Sequence, residues 1–217
     1  MVGQGVLRDC LLDPAVELVQ IIGRTSSGAT HAKIREIVRS DLLNYADIEP
    51  QLAGFDACFF CLGISVTGLT EAEYERITYG ITLALAETLA RLSPRLTFVY
   101  VSGAGTDSSE RGRMMWARVK GKTENALLRL FPSAYMFRPG TIQAVHGEVS
   151  KTKAYRTAYK VFGAILPLLR RLFPRQIVTT EQIGQAMLNV AKRGAPKRIL
   201  ESPDIADCAG PDGAVTR

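Results

Sequence analysis

The sequence is poor in the residues that carry metal, redox and disulfide chemistry. Its 217 residues include two histidines, four cysteines and one tryptophan. Four scattered cysteines are too few for a disulfide framework. The longest uncharged apolar run late in the chain, Val161 to Leu169, is far shorter than the roughly 20 residues that span a bilayer. Because no cleavable signal opens the sequence either, we expect a cytoplasmic protein without a metal site.

One cysteine pair has the spacing of a redox or zinc motif, Cys58-Phe59-Phe60-Cys61. The surrounding segment predicts a buried strand, in which residues three apart point to opposite faces of the sheet. The chain has no second pair of this spacing, and its two histidines are His31 and His146. We therefore expect reduced core thiols here, with a metal or redox pair as the alternative.

The positive charge of the chain is local. The composition, 47% hydrophobic and 22% charged, is that of an ordinary globular protein, and the net charge is +6. The segment Lys151 to Arg175 holds seven basic residues and no acid, so the rest of the chain carries 6 − 7 = −1. We therefore expect no nucleic-acid partner. The segment suits weak peripheral contact with an anionic membrane, an acidic ligand, or a solvated helix face.

Short apolar runs typical of strands alternate with segments of helical periodicity. The runs are Leu18 to Ile22, Ile34 to Val38, Ala57 to Leu62, Leu96 to Val101 and Ala134 to Phe137. Thr70 with Glu73 forms a capping box that begins one helix, and Thr179 with Gln182 begins a later one. This alternation predicts an α/β fold with a doubly wound parallel sheet covered by helices on both faces.

The first strand of such a sheet is missing from the pattern. A doubly wound domain normally opens with a strand, whereas this sequence opens with Gly3-Gln4-Gly5 and a helix over Val6 to Leu12. In the usual strand order the missing strand is the central one. We therefore expect an amino-terminally truncated sheet, with a gap or a strained direct pairing between the strands around Leu18 to Ile22 and Ala57 to Leu62.

The same pattern predicts how the domain is organised. We expect one domain over residues 1–200, with a small helical C-terminal lobe at 145–175 that covers a substrate crevice. Residues 201–217 are predicted to be a flexible tail.

Three positions suit a dinucleotide. Gly3 lies at a helix start, where the helix dipole favours phosphate, although Gly3-Gln4-Gly5 is equally an ordinary terminus. The next strand ends at Gly23-Arg24-Thr25-Ser26, where an acid would hold the ribose of NAD. An arginine followed by two hydroxyls suits the 2′-phosphate of NADP instead, and a surface arginine in a loop is the alternative. Asp41 follows the strand after that, where a side chain can reach an adenine edge.

Four ordered motifs resemble those of the atypical short-chain dehydrogenases/reductases. They are Cys61-Leu62-Gly63, Phe98 to Gly105, Val119 to Glu124, and Phe137-Arg138-Pro139-Gly140. From Gly3 to about Arg193 the chain is similar to the Tat-interacting-protein-like, NAD(P)-binding proteins of the epimerase/dehydratase type. This resemblance implies a Rossmann fold and a nicotinamide dinucleotide, and Arg24 with its two neighbouring hydroxyls favours NADP over NAD.

The resemblance also implies roles for individual residues. At the phosphate end of the cofactor, Gly3 and Gln4 would contact the diphosphate, and Arg24 with Thr25 would contact the 2′-phosphate. Asp41 would contact the adenine, Leu62 and Gly63 the nicotinamide ribose, and Pro139 would also lie in the cofactor site. Lys120 would hold the ribose, and Ser102 with Lys120 would form the active site.

The sequence departs from the family at its catalytic Tyr-x-x-x-Lys pair, which here is Trp116-Ala117-Arg118-Val119-Lys120. An indole N–H donates a hydrogen bond but has no acid–base cycle at neutral pH. Lys120 can still hold a ribose, and Ser102 can still polarise a carbonyl. Tyr100 shares a strand face with Ser102 and either replaces the missing phenol or packs in the core.

These observations favour an NADP-binding reductase or epimerase-type protein whose catalytic site is degenerate. One alternative is a non-catalytic dinucleotide-binding regulatory or scaffold protein, in which Trp116 closes the catalytic position. Another is a peripheral membrane or partner-binding protein that acts through Lys151 to Arg175. Fold alone does not decide among them.

Overall fold

The computed structural model describes residues 1–148 and 175–210, in which helices and strands alternate. The first elements are α1 (Val2–Leu12), β1 (Val19–Gly23), β2 (Ile34–Val38), a 3₁₀ turn (Ala46–Ile48), α2 (Glu49–Leu52) and β3 (Ala57–Phe60). Next come α3 (Glu71–Glu75), a π-helical turn (Arg76–Gly80), α4 (Ile81–Leu92), β4 (Thr97–Val101), α5 (Met115–Leu130) and β5 (Ala134–Arg138). The last are β6 (Thr141–Gln143), β7 (Ile177–Thr179), α6 (Thr180–Arg193), β8 (Ile199–Glu201) and α7 (Ser202–Cys208).

All described strand pairs are parallel, as the sequence pattern predicts. β3, β4, β5 and β8 form a four-stranded sheet in the order β3-β4-β5-β8, while β1 pairs with β2 and β6 with β7. Strand β4 shows why its apolar run is continuous. Phe98 and Tyr100 pack into one core cluster, and Val99 packs into the cluster on the opposite face. Both faces of the sheet are therefore covered, and the predicted Rossmann-like α/β architecture is confirmed.

The predicted helix starts are present. The Thr70 hydroxyl accepts a hydrogen bond from the Glu73 N–H, and the Glu73 carboxylate accepts one from the Thr70 N–H, which completes the capping box of α3. Thr179 and Gln182 make the same reciprocal pair at α6. Each pair satisfies two N–H groups that the helix start would otherwise leave without partners.

A gap separates the β1–β2 pair from the four-stranded sheet. Among the described residues no strand pairing joins β1 to β3, and a cavity of about 2480 Å³ lies between them, lined by both strands and by α1. The gap expected from the missing central strand is therefore present, and the strained direct pairing is not. All five residues of β1 are half-buried, whereas four of the five in β4 are buried.

Helix α1 begins at Val2, four residues before the predicted start at Val6. Glycine disfavours a helix interior, but here it permits close packing. A side chain at Gly5 would place its Cβ 2.8 Å from the Thr180 Cβ of α6. The contact between α1 and α6 therefore offsets the low helix propensity of the glycines, which the sequence pattern alone did not reveal.

The C-terminal predictions need one correction. The predicted tail over 201–217 is wrong for residues 201–208. Glu201 ends strand β8, and residues 202–208 form α7, which has a proline in its first turn and buries Ile205 completely. The predicted lobe at 145–175 lies, apart from its first four residues and Arg175, outside the described residues, as do 211–217. In the ranges 1–148 and 175–210, no helix is long and apolar enough to cross a membrane.

Candidate functional site

Residues far apart in the sequence meet at the cavity between β1 and β3. The start of α1 lies against the end of β3, since a Cβ on Gly3 would be 3.4 Å from the Cβ of Cys61. Six of the residues predicted for the dinucleotide line this cavity: Gly3, Gln4, Arg24, Thr25, Leu62 and Gly63. Asp41, Ser102, Trp116, Lys120 and Pro139 are not among its lining residues.

The start of α1 has the electrostatics of an anion site. No acidic residue lies in its first turn, and no side chain caps its N-terminus. The positive end of the helix dipole is therefore not neutralised by a carboxylate of the helix. Gly3 and Gln4 are exposed there, at the mouth of the cavity. This arrangement fits the phosphates of a dinucleotide.

The loop after β1 contains an acidic neighbour that the sequence analysis missed. Arg24 and Thr25 are exposed. The Ser26 hydroxyl, however, donates to the Glu36 carboxylate at 2.6 Å, and the Ser27 N–H donates to it at 2.7 Å. These bonds hold the pKa of Glu36 below its usual range. Glu36 pairs with Ile21 across the β1–β2 ladder, which places its side chain beside a loop ten residues away in sequence.

Asp41 organises its own loop. Its carboxylate accepts a hydrogen bond from the Leu43 N–H at 2.7 Å, and its carbonyl oxygen accepts one from the Arg39 Nε at 2.6 Å. The side chain is exposed. The structure therefore gives Asp41 a role in shaping the turn, and its contact with an adenine stays a prediction.

Ser102 lies in a buried polar cluster at the end of β4. Its hydroxyl lies 2.5 Å from the Glu124 carboxylate and 3.2 Å from the Phe137 carbonyl oxygen, and both are acceptors. Glu124 is fully buried and forms an ion pair with Arg138. Arg138 also donates to the Ser108 hydroxyl at 2.6 Å. The proton of the Ser102 hydroxyl is thus directed into the protein.

Lys120 is held at the same end of β4. Its ammonium donates a hydrogen bond to the Ser102 carbonyl oxygen. Burial lowers the pKa of Lys120 from 10.5 to about 8, and the nearby Glu124 carboxylate opposes this shift. The side chain is therefore mainly charged at neutral pH, and an ammonium has three N–H donors, of which this hydrogen bond uses one.

The neighbouring aromatic residues occupy different environments. Trp116 is half-buried and packs on the loop after β4, since a Cβ on Gly105 would lie 3.4 Å from the indole. Gly105 has a φ of 83°, a conformation that favours glycine. Tyr100 is 1% exposed within a core cluster, and burial raises the pKa of its phenol above the usual range. This supports the core-packing alternative for Tyr100.

Pro139 follows β5 and shapes the same region through its main chain. Its carbonyl oxygen accepts a hydrogen bond from the Ala104 N–H at 3.0 Å, which ties the loop after β4 to the loop after β5. Pro139 thus lies close to the end of β4, where Ser102 and Lys120 are held. Its predicted contact with the cofactor stays a prediction.

The Cys58 and Cys61 thiols pack in different core clusters, as the strand interpretation predicts. Burial raises the pKa of each to about 12, so both are protonated at neutral pH. Both cysteines are free. Among residues 1–148 and 175–210, no group of three or more histidine, cysteine or acidic side chains could hold a metal ion.

Solved structures share the fold of this chain. One is WbmF from Bordetella bronchiseptica in complex with NADH, with 16% identity and a TM-score of 0.65 over 96% of this chain and 71% of that chain. ADP-L-glycero-D-manno-heptose-6-epimerase from Helicobacter pylori has 15% identity and a TM-score of 0.63 over 93% and 73%. A short-chain dehydrogenase/reductase from Saccharomyces cerevisiae has 14% identity and a TM-score of 0.59 over 95% and 94%.

These similarities establish the fold and nothing finer. No protein-family model and no curated protein matches the chain. The matched structures include a short-chain dehydrogenase/reductase and an epimerase, and the matches cover nearly all of this chain. The chain therefore shares the Rossmann-like fold of these proteins, as the sequence motifs implied.

Proposed function

We propose that this chain is a short-chain dehydrogenase/reductase-like protein that binds a nicotinamide dinucleotide at the mouth of the β1–β3 cavity. One observation carries the proposal: six residues chosen from three separate sequence segments line a single cavity beside a helix start. The structural relative WbmF was solved with NADH, which supports the class of ligand. In this class of protein the bound dinucleotide supplies the hydride transfer, and the protein binds and orients it.

The residues present fit such a ligand. The start of α1, with Gly3 and Gln4, is suited to the diphosphate, and Leu62 with Gly63 after β3 is suited to a ribose. The Lys120 ammonium donates one hydrogen bond to the Ser102 carbonyl oxygen, and its other N–H donors would hold the nicotinamide ribose. Asp41 is proposed to contact the adenine and Pro139 another part of the cofactor, although neither residue lines the cavity.

We propose NADP rather than NAD as the preferred form. The exposed Arg24 guanidinium is suited to a phosphate dianion, and Thr25 beside it offers a hydroxyl. Glu36 opposes this preference, because its carboxylate accepts the hydrogen bond of the Ser26 hydroxyl and would repel the 2′-phosphate. Cofactor choice then depends on the balance between these two charged side chains.

The proposed catalytic site is degenerate. The position of the family's phenol is Trp116, the phenol of Tyr100 is buried with a raised pKa, and the Ser102 hydroxyl donates to Glu124. General acid–base groups contribute about 10²–10⁴-fold to a rate. We therefore propose feeble turnover with carbonyl substrates. The same observations favour, as a second candidate, a non-catalytic dinucleotide-binding regulatory or scaffold protein.

Titration with NADPH and NADH tests the cofactor proposal. We expect Arg24→Ala to weaken NADPH binding by about 1–3 kcal/mol and to leave NADH binding unchanged, since only NADPH carries the 2′-phosphate. Glu36→Gln should strengthen NADPH binding. Arg95→Ala, at another exposed arginine, is the matched control. Equal binding of both nucleotides by the wild type would contradict the preference, and binding of neither would contradict the function.

Trp116→Tyr tests the catalytic proposal. Restoring a phenol four residues before Lys120 should raise the rate of NADPH-dependent carbonyl reduction, while Trp116→Phe, which has an aromatic ring and no hydroxyl, should not. A wild type that reduces carbonyls briskly, with no gain in Trp116→Tyr, would show that another acid operates.

A cytoplasmic location and weak contact with anionic membranes through Lys151 to Arg175 remain proposals. Within this segment the structure describes Arg175, which is exposed and pairs with Asp207 at 2.5 Å. Sedimentation with anionic vesicles at two salt concentrations measures this contact. Strong, salt-sensitive binding would favour the membrane interpretation over a solvated face.

A further inference from the structure

We propose that Arg39 positions the loop that contains Asp41 and thereby makes the proposed dinucleotide site specific for adenine. This loop, residues 40–47, follows β2 and is called the Asp41 loop. In the proposed function, on which this inference rests, Asp41 contacts the adenine. Arg39 is assigned no contact with the ligand, so it is a positioning residue that acts through Asp41.

The Arg39 side chain binds the Asp41 loop at several points. Its Nε donates a hydrogen bond to the Asp41 carbonyl oxygen at 2.6 Å, and its Nη2 donates one to the Asn44 carbonyl oxygen at 2.6 Å. Nη2 also donates to the Asp47 carboxylate at 2.9 Å, and the guanidinium lies 5.3 Å from the centre of the Tyr45 ring. Because a guanidinium is planar and its N–H donors have fixed directions, these contacts set the positions of the loop residues relative to one another.

Arg39 is itself fixed to the end of the β1–β2 pair. Its main-chain N–H donates to the Gly23 carbonyl oxygen at 3.0 Å, at the end of β1, and its side chain is 14% exposed. Arg24, the proposed contact of the 2′-phosphate, follows Gly23 directly. Arg39 therefore links the Asp41 loop to the residues that precede the proposed 2′-phosphate site.

Core packing anchors the inner side of the Asp41 loop. Leu42 and Tyr45 are 5% and 3% exposed, and both belong to the core cluster of Phe98 and Tyr100. Both residues also line the cavity whose mouth is proposed to bind the dinucleotide, whereas Asp41 is exposed. The exposed Asp41 thus lies next to residues that border the proposed site.

The Asp41 carboxylate accepts one hydrogen bond within the loop, from the Leu43 N–H at 2.7 Å. An ionised carboxylate has about four lone-pair sites and no donor, so the exposed group can still accept a hydrogen bond from a ligand. The 6-amino group of adenine is a donor, whereas hypoxanthine has a carbonyl oxygen at that position. A site that holds a polar group in a fixed position rejects an analogue that leaves this group unpaired. Selection of adenine therefore requires that Asp41 is held in place, and the contacts of Arg39 hold it.

One donor group of Arg39 indicates that the residue is not optimised for stability alone. Its Nη1 is buried and has no hydrogen-bond partner in the part of the chain that the structure describes. A buried donor without a partner lowers the stability of a protein. Locally unfavourable features of this kind are typical of functional sites, which supports a positioning role for Arg39.

Titration with NADPH and with its hypoxanthine analogue tests the positioning role. We expect the wild type to bind NADPH about tenfold or more tightly than the analogue, which lacks the 6-amino group. In Arg39→Lys this preference should fall below about threefold, because an ammonium keeps the charge but lacks the planar fork of donors. Asp41→Asn should lose the preference as well. The double variant should lose no more than Asp41→Asn alone, since Arg39 acts through Asp41.

Arg198→Lys is the matched control. The Arg198 guanidinium also donates to main-chain carbonyl oxygens, but it does so at the junction of α5 and β5, where its acceptors are Leu128, Phe131 and Ala134. We expect this variant to lower the melting temperature and to keep the full preference for NADPH over the hypoxanthine analogue.

Hydrogen exchange of the Leu43 amide in the free protein is a second readout, and it needs no ligand. This amide is protected by its hydrogen bond to the Asp41 carboxylate. Arg39→Lys should speed its exchange by about tenfold, because the loop would open more often. Arg198→Lys should leave this exchange unchanged.

The results distinguish failure of this inference from failure of the proposed function. A wild type that binds neither dinucleotide would contradict the function and, with it, the inference. Equal binding of NADPH and the analogue by the wild type would overturn the adenine specificity and leave dinucleotide binding intact. A full preference in Arg39→Lys, or an equal loss of preference in Arg198→Lys, would show that Arg39 merely stabilises the fold. Unchanged exchange of the Leu43 amide in Arg39→Lys would show that Arg39 does not hold the loop.

Discussion

The two sides of the β1–β3 gap are stabilised to different degrees. Strand β4 has a partner on each edge, and Phe98, Val99 and Tyr100 are at most 1% exposed. Strand β1 has one described partner, and its residues are all half-buried. A parallel strand obtains its full burial only when it is paired on both edges and covered on both faces. The comparison indicates that the four-stranded sheet is the stable part of the molecule.

The ion pairs on the two sides of the gap also differ in burial. In the four-stranded part, Glu124 and Arg138 form an ion pair buried between α5 and β5, and Glu124 also accepts from Ser102. Beside the β1–β2 pair, the Arg39–Asp47 ion pair is open to solvent on its acidic side, where Asp47 is 69% exposed. Buried pairs are costly to break, whereas exposed pairs contribute little.

Truncation of a core aromatic residue should show the largest difference between the two sides. Phe98→Ala should lower the free energy of unfolding by about 3–5 kcal/mol, because it leaves a cavity in a fully packed core. Ile22→Ala in β1 should cost about 1–2 kcal/mol, because its side chain is already partly exposed. Urea unfolding of both variants measures the contrast, and equal losses would show that β1 is as well packed as β4.

Removal of one partner from each ion pair sharpens the electrostatic comparison. Arg138→Met should cost about 3–5 kcal/mol, since Glu124 would remain buried without its counter-ion. Asp47→Asn, the control beside β2, should cost less than about 1 kcal/mol. Thermal unfolding gives both values. A small effect of Arg138→Met would mean that Glu124 takes up a proton at little cost.

The pH dependence of stability should report the burial of Lys120. Its pKa is about 8 in the folded protein, against 10.5 as the ordinary value. A lowered lysine pKa destabilises the folded state while both states are protonated, and this penalty disappears as the pH rises from about 8 to 10.5. Relative to Lys120→Met, the wild type should therefore gain roughly 3 kcal/mol of unfolding free energy over this range. If the unfolding free energies of the wild type and Lys120→Met changed equally with pH, the lowered pKa of Lys120 would be contradicted.

Local sequence patterns predicted the elements well where side chains near in sequence decide the structure. Thr70 and Glu73 cap α3, and the segment Ile34–Val38 forms β2 with the predicted bounds. Residues 202–208 were predicted as tail, although their proline fits a helix start. Ile205 of this helix is held by the second core cluster, which no local pattern reveals.

The sequence by itself determined the alternation of strands and helices, the helix caps, the gap between β1 and β3 in the described part of the chain, and six of the residues that line the cavity there. Only the tertiary structure decided the directions of polar groups. The Ser102 hydroxyl meets Glu124 from 22 residues away, and Arg138 meets Glu124 from 14 residues away. Glu36 meets Ser26 only because β1 and β2 are paired. A buried polar group must find a partner wherever the fold brings one, and the spacing along the chain does not contain that information.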